Sequence, residues 1–366
     1  MNINGTPTRT IRPLSDHGGV EIIDQTLLPH RLEFRTLRTL EDAAEAISVM
    51  RVRGAPLIGA AAAYGVALAL AEEASESRLE TACARLLATR PTAVNLRWAL
   101  ERMQTHLAPL PAAQRGEAAW NAAAVLCDED VVLNQSIGRH GMELIKWKHE
   151  QSSRTVNVMT HCNAGWLATV DWGTALAPVY TAFDAGIPVH VWVSETRPRN
   201  QGAALTAWEL AQHGVPHTLV ADNAAGHLML HGQVDLVIVG ADRAASNGDV
   251  ANKIGTYLKA LAARDNGVPF YVAVPGPTID WRLADGSGIP IEERAAHEVT
   301  HIQGQAEDGG VTSVRLAPAQ SGAANPAFDV TPARLVTGVI TERGICPATQ
   351  EGLAQRYPEA GVCRTA

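Results

Sequence analysis

Basic residues are scarce in this chain. Lys and Arg number 30 against 38 Asp and Glu, which gives a formal net charge of -8 and a pI near 5.9. Broad binding to nucleic acid or to an anionic membrane depends on many basic contacts, so the composition argues against both. An anionic ligand would have to be met by a few basic residues gathered in one place.

Cysteine is also sparse, and its spacing is not that of a disulfide framework or a structural zinc site. The five cysteines are an odd number, and no Cys-x-x-Cys occurs. The thirteen histidines show neither His-Glu-x-x-His nor a paired-ligand spacing, so we expect no metal site. We interpret Cys83, Cys127, Cys346 and Cys363 as structural thiols without polar company.

Targeting and cofactor motifs are missing as well. Residues 1–17 lack the basic region and apolar run of a signal peptide. The longest apolar stretch, residues 57–71, is shorter than the roughly 20 residues that a membrane span needs, and we expect a buried helix there. No Gly-x-Gly-x-x-Gly follows a strand and no Walker A motif is present. We therefore expect a cytoplasmic protein that needs no cofactor.

Apolar residues, in contrast, are plentiful, and their spacing differs between the first and second halves of the chain. The chain is 46% hydrophobic and, at 366 residues, longer than one core usually serves, so we expect two domains, residues 1–130 and 131–366. Two short strands between residues 20 and 37 precede alanine-rich helical patterns, the first capped by Thr39 and Asp42. Short apolar runs then alternate with helical segments, which predicts a parallel sheet in an α/β fold. The runs are residues 156–159, 189–193, 218–220, 234–239 and 270–274.

Cys162 is the first candidate for chemistry. It follows a predicted buried strand in Thr160-His161-Cys162-Asn163, and polar residues follow two more predicted strands, at 195–197 and 242–243. The C-terminal ends of parallel strands share one sheet edge, where open α/β sheets bind ligands. Loop amides and the start of the next helix would stabilise a thiolate at Cys162. The alternative is a buried structural thiol, and His161 beside it is a ligand, a base or a packed residue.

Asp242 is the second candidate, since it ends the apolar run of residues 234–241. Apolar walls favour the protonated form of a carboxyl, which suits a general acid. The alternatives are that Asp242 caps the next helix or pairs with Arg243, and position alone does not separate these possibilities.

Basic residues beside glycine or proline predict a phosphate site. Arg53-Gly54-Ala55-Pro56, Arg90-Pro91 and Asn252-Lys253-Ile254-Gly255 each stand where a helix is expected to begin. Helix N-termini combined with Arg or Lys commonly hold phosphates. Each signal is weak alone, because a surface Arg before a helix is usually solvated. Together, in an acidic chain, they indicate a phosphorylated substrate.

The order of these motifs resembles that of the methylthioribose-1-phosphate isomerases. The shared blocks are Arg53-Gly54-Ala55-Pro56, Arg90-Pro91-Thr92-Ala93-Val94-Asn95, Thr160-His161-Cys162-Asn163-Ala164-Gly165, Glu195-Thr196-Arg197-Pro198, Gln201-Gly202, Thr206-Ala207-Trp208-Glu209-Leu210, Gly240-Ala241-Asp242-Arg243, residues 247–256 and residues 325–332.

The resemblance implies a dimeric enzyme with a helical N-terminal domain and a Rossmann-like C-terminal domain that binds no dinucleotide. It also implies a reaction, the conversion of 5-methylthioribose 1-phosphate to 5-methylthioribulose 1-phosphate in methionine salvage. Cys162 and Asp242 match the family's catalytic pair. The blocks that hold phosphate and sugar are matched by Arg53, Gly54, Ala55, Arg90, Gln201, Asn252 and Lys253. For the hydrogen transfer from C2 to C1, a proton route with Cys162 as base is favoured over a hydride shift.

The chain departs from the family pattern at Ser194, at Trp166, Asp171 and Trp172, and at Pro275-Gly276-Pro277. Trp166 and Trp172 flank the cysteine loop, and we expect them to form an apolar wall over the substrate. Such a wall disfavours a second phosphate, and hence ribose 1,5-bisphosphate, as against the methylthio sugar. 5-Deoxyribose 1-phosphate is another alternative substrate. A non-catalytic scaffold like the initiation-factor regulatory subunits is an alternative of another class, disfavoured because Cys162 and Asp242 are both present.

Overall fold

The computed structural model describes residues 1–362. Its N-terminal part contains two small antiparallel sheets. They are formed by β1 (Asn2–Ile3) and β2 (Thr6–Pro7), and by β3 (Ile11–Pro13), β4 (Val20–Ile23) and β5 (Phe34–Leu37) in the order β3-β4-β5. Two of these strands, β4 and β5, are the pair predicted between residues 20 and 37.

Five helices follow and form the first core. They are α1 (Leu40–Ser48), α2 (Ala55–Glu72), α3 (Glu76–Leu87), α4 (Val94–Leu107) and α5 (Ala112–Ser152). Thr39 and Asp42 cap α1 reciprocally, as predicted. The α2 helix is apolar on all sides and long enough to cross a membrane, but 83% of it is buried among the other helices, which is the burial expected for residues 57–71.

A seven-stranded sheet forms the centre of the second part and confirms the predicted α/β class. Its strands are β6 (Val156–Thr160), β7 (Val189–Ser194), β8 (His217–Val220), β9 (Leu236–Val239), β12 (Phe270–Ala273), β17 (Gly338–Thr341) and β18 (Gly344–Cys346). The order is β18-β17-β12-β9-β6-β7-β8. All five predicted runs are strands in it, and every neighbouring pair is parallel except β17 and β18, which are antiparallel.

Helices cover both faces of this sheet and enclose two further cores. They are α6 (Ala177–Asp184), α7 (Ala207–His213), α8 (Ala224–Leu230), α9 (Thr256–Asp265), α10 (His297–Thr300), α11 (Gln350–Arg356) and α12 (Pro358–Val362). A π-helical turn, Gly202–Thr206, leads directly into α7. The long α5 packs against α6 as well as α2, so it belongs to both parts. The expected domain boundary at residue 130 stays a prediction, and it falls inside α5.

A second sheet, which the sequence did not predict, lies beside the C-terminal edge of the first. Its order is β13-β10-β11-β16, from β10 (Arg243–Ala245), β11 (Val250–Lys253), β13 (Ile279–Asp280) and β16 (Phe328–Thr331). Asn252 and Lys253 therefore end a strand, and α9 begins only at Thr256. The strands β14 (His301–Gln305) and β15 (Val311–Arg315) form a separate antiparallel hairpin.

Candidate functional site

The loops that follow β6, β7, β9 and β12 meet the N-terminus of α2 and the loop before α4 around one cavity. It holds about 640 Å³ of empty space, its open mouth included, which is within the range of small-molecule sites. All nine residues singled out in the sequence line it: Arg53, Gly54, Ala55, Arg90, Cys162, Gln201, Asp242, Asn252 and Lys253. Stretches of chain from residue 53 to residue 253 thus converge on a single site.

Cys162 lies in this cavity with a strained backbone and little exposure. Its φ is +65°, a conformation uncommon outside glycine, and it is 7% exposed. The Cys162 amide donates to the Thr196 hydroxyl at 2.8 Å, and its carbonyl accepts from the Thr206 hydroxyl at 2.7 Å. Both backbone polar groups of Cys162 are therefore held by side chains from the next strand's loop and helix.

Burial outweighs the expected stabilisation of a Cys162 thiolate, although the Asn163 amide of the loop does act in the stabilising direction. Burial raises the pKa of the Cys162 thiol, and the opposing charges of Arg53 and Lys253 are not enough to reverse that. Desolvation penalises the charged form, and no regular helix begins at this loop to offset it, since only a 3-10 turn, Trp166–Ala168, follows. The neutral thiol is thus the resting form at neutral pH.

Asp242 lines the same cavity and lies between β9 and β10. Its amide donates to the carbonyl of Ala251 at 2.9 Å, which fixes the backbone of the loop. The two alternatives for Asp242 do not agree with the structure: a strand rather than a helix follows it, and the Arg243 guanidinium pairs with Asp280 at 3.4 Å. The Asp242 carboxyl is left facing the cavity.

Four cations line the cavity, against the single carboxyl of Asp242. They are Arg53, Arg90, Lys253 and Arg294. Arg90 and Arg294 share the carboxylate of Glu292, at 3.4 and 3.0 Å. This excess of positive charge fits a ligand that carries at least one phosphate.

Lys253 is the most unusual of the four cations. Its ammonium donates to the carbonyl of Ala327 at 2.8 Å and lies 4.2 Å from the centre of the Phe328 ring. Burial lowers the pKa of Lys253 to about 8, although the neighbouring Cys162 and Asp242 act in the opposite direction. The charge on Lys253 is therefore sensitive to mildly alkaline pH.

Two of the residues singled out in the sequence, Gln201 and Asn252, add neutral amides to the lining. Gln201 is 7% exposed, and its side-chain oxygen is buried without a hydrogen-bond partner in the described part of the chain. Asn252 donates to the Thr256 hydroxyl at 3.0 Å. A buried acceptor without a partner is costly, and a sugar hydroxyl entering the cavity would satisfy Gln201.

Arg294 is the lining cation that the sequence did not reveal. It lies in a segment without regular structure, between acidic residues Glu292, Glu293 and Glu298, and no helix start or glycine marks it. Its side chain reaches the cavity because Glu292 holds it at 3.0 Å. Only the tertiary structure, which brings this segment over the cavity, identifies Arg294.

The predicted tryptophan wall is wrong. Trp166 is fully buried and packs on Trp208, with 6.1 Å between ring centres, and Trp172 packs against the first core. Neither tryptophan lines the cavity. A groove that shares Met50, Arg53 and Gln201 with the cavity opens beside it instead. This groove carries Leu28, Pro29 and Leu205 together with His30, Arg199, His297 and His301.

His161 and the other cysteines have structural positions. His161 is fully buried, its Nε2 contacts the Ile254 carbonyl at 2.8 Å, and burial lowers its pKa to about 3, so the ring is neutral. Cys83, Cys127 and Cys346 are buried and free, as expected, but Cys127 is not without polar company, since it hydrogen-bonds with Tyr64; Cys363 lies outside the described residues. Over residues 1–362, no cluster of three or more His, Cys, Asp or Glu has the arrangement of a metal site.

Known proteins resemble this chain along almost all of its length. The sequence matches the Initiation factor 2 subunit family over residues 51–348. A methylthioribose-1-phosphate isomerase from Rhodospirillum rubrum is 62% identical over 366 residues, which cover 98% of this chain and 94% of the relative. The chain belongs to the methylthioribose-1-phosphate isomerases within that family.

Solved structures of the family agree with the fold. The 5-methylthioribose 1-phosphate isomerase of Pyrococcus horikoshii has a TM-score of 0.84 and 40% identity, with 97% of each chain covered. A structure titled translation initiation factor eIF-2B, subunit delta, from A. fulgidus has a TM-score of 0.80 and 39% identity, covering 96% of this chain and 100% of that one. The α/β fold with its parallel sheet is common to the two.

Proposed function

We propose that this protein converts 5-methylthioribose 1-phosphate to 5-methylthioribulose 1-phosphate, as a homodimeric cytoplasmic enzyme of methionine salvage. The observation that carries the proposal is a cavity lined by Cys162, Asp242 and four cations in a chain 62% identical to a relative of that name. This isomerisation needs an acid to open the ring, a way to move hydrogen from C2 to C1 and a site for the phosphate, and the cavity offers a carboxyl, a thiol and four cations for these tasks.

The cations would bind the C1 phosphate, and the amides would orient the sugar. Arg53, Arg90, Lys253 and Arg294 supply charge, and the Gly54 and Ala55 amides stand at the N-terminus of α2. Gln201 and Asn252 would bind the ring hydroxyls. The 5-substituent would enter the groove that adjoins the cavity at Met50, Arg53 and Gln201.

Asp242 would open the ring. The phosphate on C1 prevents the ordinary opening to a free aldehyde, so the bond between C1 and the ring oxygen must break with acid help. Protonated Asp242 donates its proton to the ring oxygen as this bond breaks, which leaves a cation at C1 stabilised by the phosphate ester oxygen. The resulting Asp242 carboxylate can later take the proton of the C2 hydroxyl.

Cys162 would carry hydrogen from C2 to C1. In the proton route Cys162 acts as its thiolate, after the thiol has released its own proton to solvent. The thiolate removes the C2 proton and leaves an enol, and the thiol returns that proton to C1 while the C2 hydroxyl gives its proton to Asp242. In the hydride route hydrogen moves directly from C2 to C1, and Cys162 shapes a dry cavity. Because burial raises the pKa of the thiol, the charges of Arg53 and Lys253 would favour the thiolate that the proton route needs without making it the resting form.

Turnover of three sugars tests the proposal: 5-methylthioribose 1-phosphate, 5-deoxyribose 1-phosphate and ribose 1,5-bisphosphate. We expect the highest kcat/KM for the methylthio sugar, because the groove offers Leu28, Pro29 and Leu205 to an apolar 5-substituent. His30, Arg199, His297 and His301 line the same groove, so the bisphosphate is a serious competitor. A preference for the bisphosphate would overturn the assignment.

The scaffold alternative has one observation in its favour, the 39% identity to a structure titled as an initiation-factor subunit. Cys162→Ser and Asp242→Asn distinguish it from an enzyme. We expect each variant to fold like the wild type and to lose at least about a thousandfold in kcat, as is usual when a group that acts directly in the chemistry is removed. No turnover of any of the three sugars by the wild type would favour the scaffold, whereas unchanged turnover in the variants would refute the catalytic roles of Cys162 and Asp242.

A further inference from the structure

Glu209 is a buried carboxyl that the proposed chemistry does not use. It lies in α7, its side chain is fully buried, and burial raises its pKa to about 8. Burying an ionisable group is costly unless its hydrogen bonds are made. The position of Glu209 directly behind the cavity therefore needs a reason.

The two carboxyl oxygens of Glu209 hold both ends of the loop that follows Cys162. One oxygen accepts from the Asn163 side-chain amide at 3.0 Å, and the other accepts from the Leu167 backbone amide at 3.0 Å. Gly165 lies between these two contacts, and a Cβ on it would be 1.4 Å from the carboxyl oxygen. Only glycine at this position allows the carboxyl to reach both partners.

Asn163 passes this constraint on to a cavity cation. Its side-chain oxygen and its backbone oxygen accept from the two terminal nitrogens of the Arg53 guanidinium, at 2.5 and 2.9 Å. The amide nitrogen of the same side chain is committed to Glu209 and, at 3.2 Å, to the Thr206 hydroxyl. With both ends of the Asn163 amide engaged, its orientation and that of the Arg53 fork are fixed together.

We propose that Glu209 is a positioning residue that holds Asn163, and through it the guanidinium of Arg53, in the geometry that binds the substrate's anionic group. The inference rests on the proposed function for its kinetic readout. The proposal requires that substitution of Glu209 weaken substrate binding by moving Arg53, and not by destabilising α7.

A double-mutant cycle tests this with wild type, Glu209→Gln, Arg53→Ala and the double variant. Asn163 and Leu167 both donate to Glu209, whereas the glutamine side chain has one acceptor oxygen and one donor NH2 group. One of the two hydrogen bonds is therefore lost in Glu209→Gln, with little change in side-chain volume. We expect Glu209→Gln to raise KM on the order of tenfold, within the range seen for coupled neighbours, with kcat nearly unchanged. In the Arg53→Ala background the same substitution should change KM less than about twofold.

The control is Asp130→Asn, a matched buried carboxyl. Asp130 accepts from the Val170 backbone amide at 2.8 Å, its pKa is raised by burial to about 7, and within residues 1–362 no hydrogen bond or ion pair connects it to Arg53. Its effect on KM should be small and the same in both backgrounds. Additive effects of Glu209→Gln and Arg53→Ala would overturn the proposal.

Two measurements keep the result interpretable. If Glu209→Gln fails to fold by circular dichroism, Asn163→Ala removes the same link and should give the same rise in KM and the same dependence on Arg53. Affinity for inorganic phosphate, measured by calorimetry on the same proteins, repeats the cycle without turnover. A wild type that turns over no sugar would defeat the proposed function, whereas additive phosphate affinities would defeat the role of Glu209.

Discussion

A single buried lysine makes the phosphate site sensitive to pH. The pKa of Lys253 is lowered to about 8 by burial, so its ammonium is present at pH 7 and is lost as the pH rises through about 8. An arginine at the same position would stay charged throughout this range. The affinity of the cavity for an anion should therefore decline with alkaline pH in the wild type.

Lys253→Arg tests this dependence. The quantity to compare is the Kd for inorganic phosphate of the wild type divided by that of the variant. We expect this ratio to be about tenfold larger at pH 9 than at pH 7, since one pKa unit corresponds to about 1.4 kcal/mol. Calorimetric titrations at several pH values give both Kd values, and the change in the charge of phosphate itself affects both proteins equally and cancels in the ratio. Lys146→Arg on α5 is the control and should follow the wild type. Parallel curves for wild type and Lys253→Arg would contradict the prediction.

At the level of elements, the start of α2 is seated against the loop that follows Cys162. Gly54 has a φ of +95°, and a Cβ there would lie 2.4 Å from the carbonyl oxygen of Ala168. Gly54→Ala should therefore shift the helix start and Arg53 with it. An alanine at positive φ costs roughly 1–2 kcal/mol, and we expect the free energy of unfolding to fall by more than this because of the added clash. KM should rise because Arg53 shifts.

Gly186→Ala separates strain from collision in this experiment. Gly186 also has a positive φ, +78°, but no atom lies within 4 Å of its Cβ position, so alanine there has an unfavourable φ without a clash. Urea unfolding and steady-state kinetics of both variants are the measurements. Equal destabilisation, with KM unchanged in each, would show that the contact between Gly54 and Ala168 has no importance.

The strands that the sequence predicts are those whose own residues form an apolar run. The five predicted strands of the large sheet are such runs, which local sequence reveals. The strands β10, β11, β13 and β16 are short and include polar residues, for example Asn252 and Lys253 in β11, so no apolar run marks them. Lys253 was consequently predicted at a helix start. The raised pKa of Cys162 and the position of Arg294 depend on packing between distant parts of the chain, which local sequence does not show.

For the whole molecule, the cavity lies where the helical part meets the edge of the large sheet, and in the proposed reaction the substrate hydrogen moves inside it. The proton route predicts that reaction in deuterated water labels C1 of the product, because the Cys162 thiol can exchange before it returns the proton. We expect less than one deuterium per turnover, since Cys162 is only 7% exposed. Nuclear magnetic resonance of the product measures the label.

The control for that experiment is product incubated in deuterated water with Cys162→Ser, which reveals any exchange that does not depend on the thiol. Complete absence of deuterium at C1 with the wild type would contradict the proton route and favour the hydride shift. Partial label in the wild type and none in the control would support it.

The burial of α2 also has a consequence for how the chain is made. This helix is apolar all round, and it packs on α4 and α5, which are synthesised after it. On the ribosome α2 therefore emerges with the composition of a membrane segment when α1 has been made but α4 and α5 have not. Until α5 has been translated, the nascent chain exposes this apolar helix. Synthesis is therefore the stage at which α2 is most open to being recognised wrongly as a membrane segment.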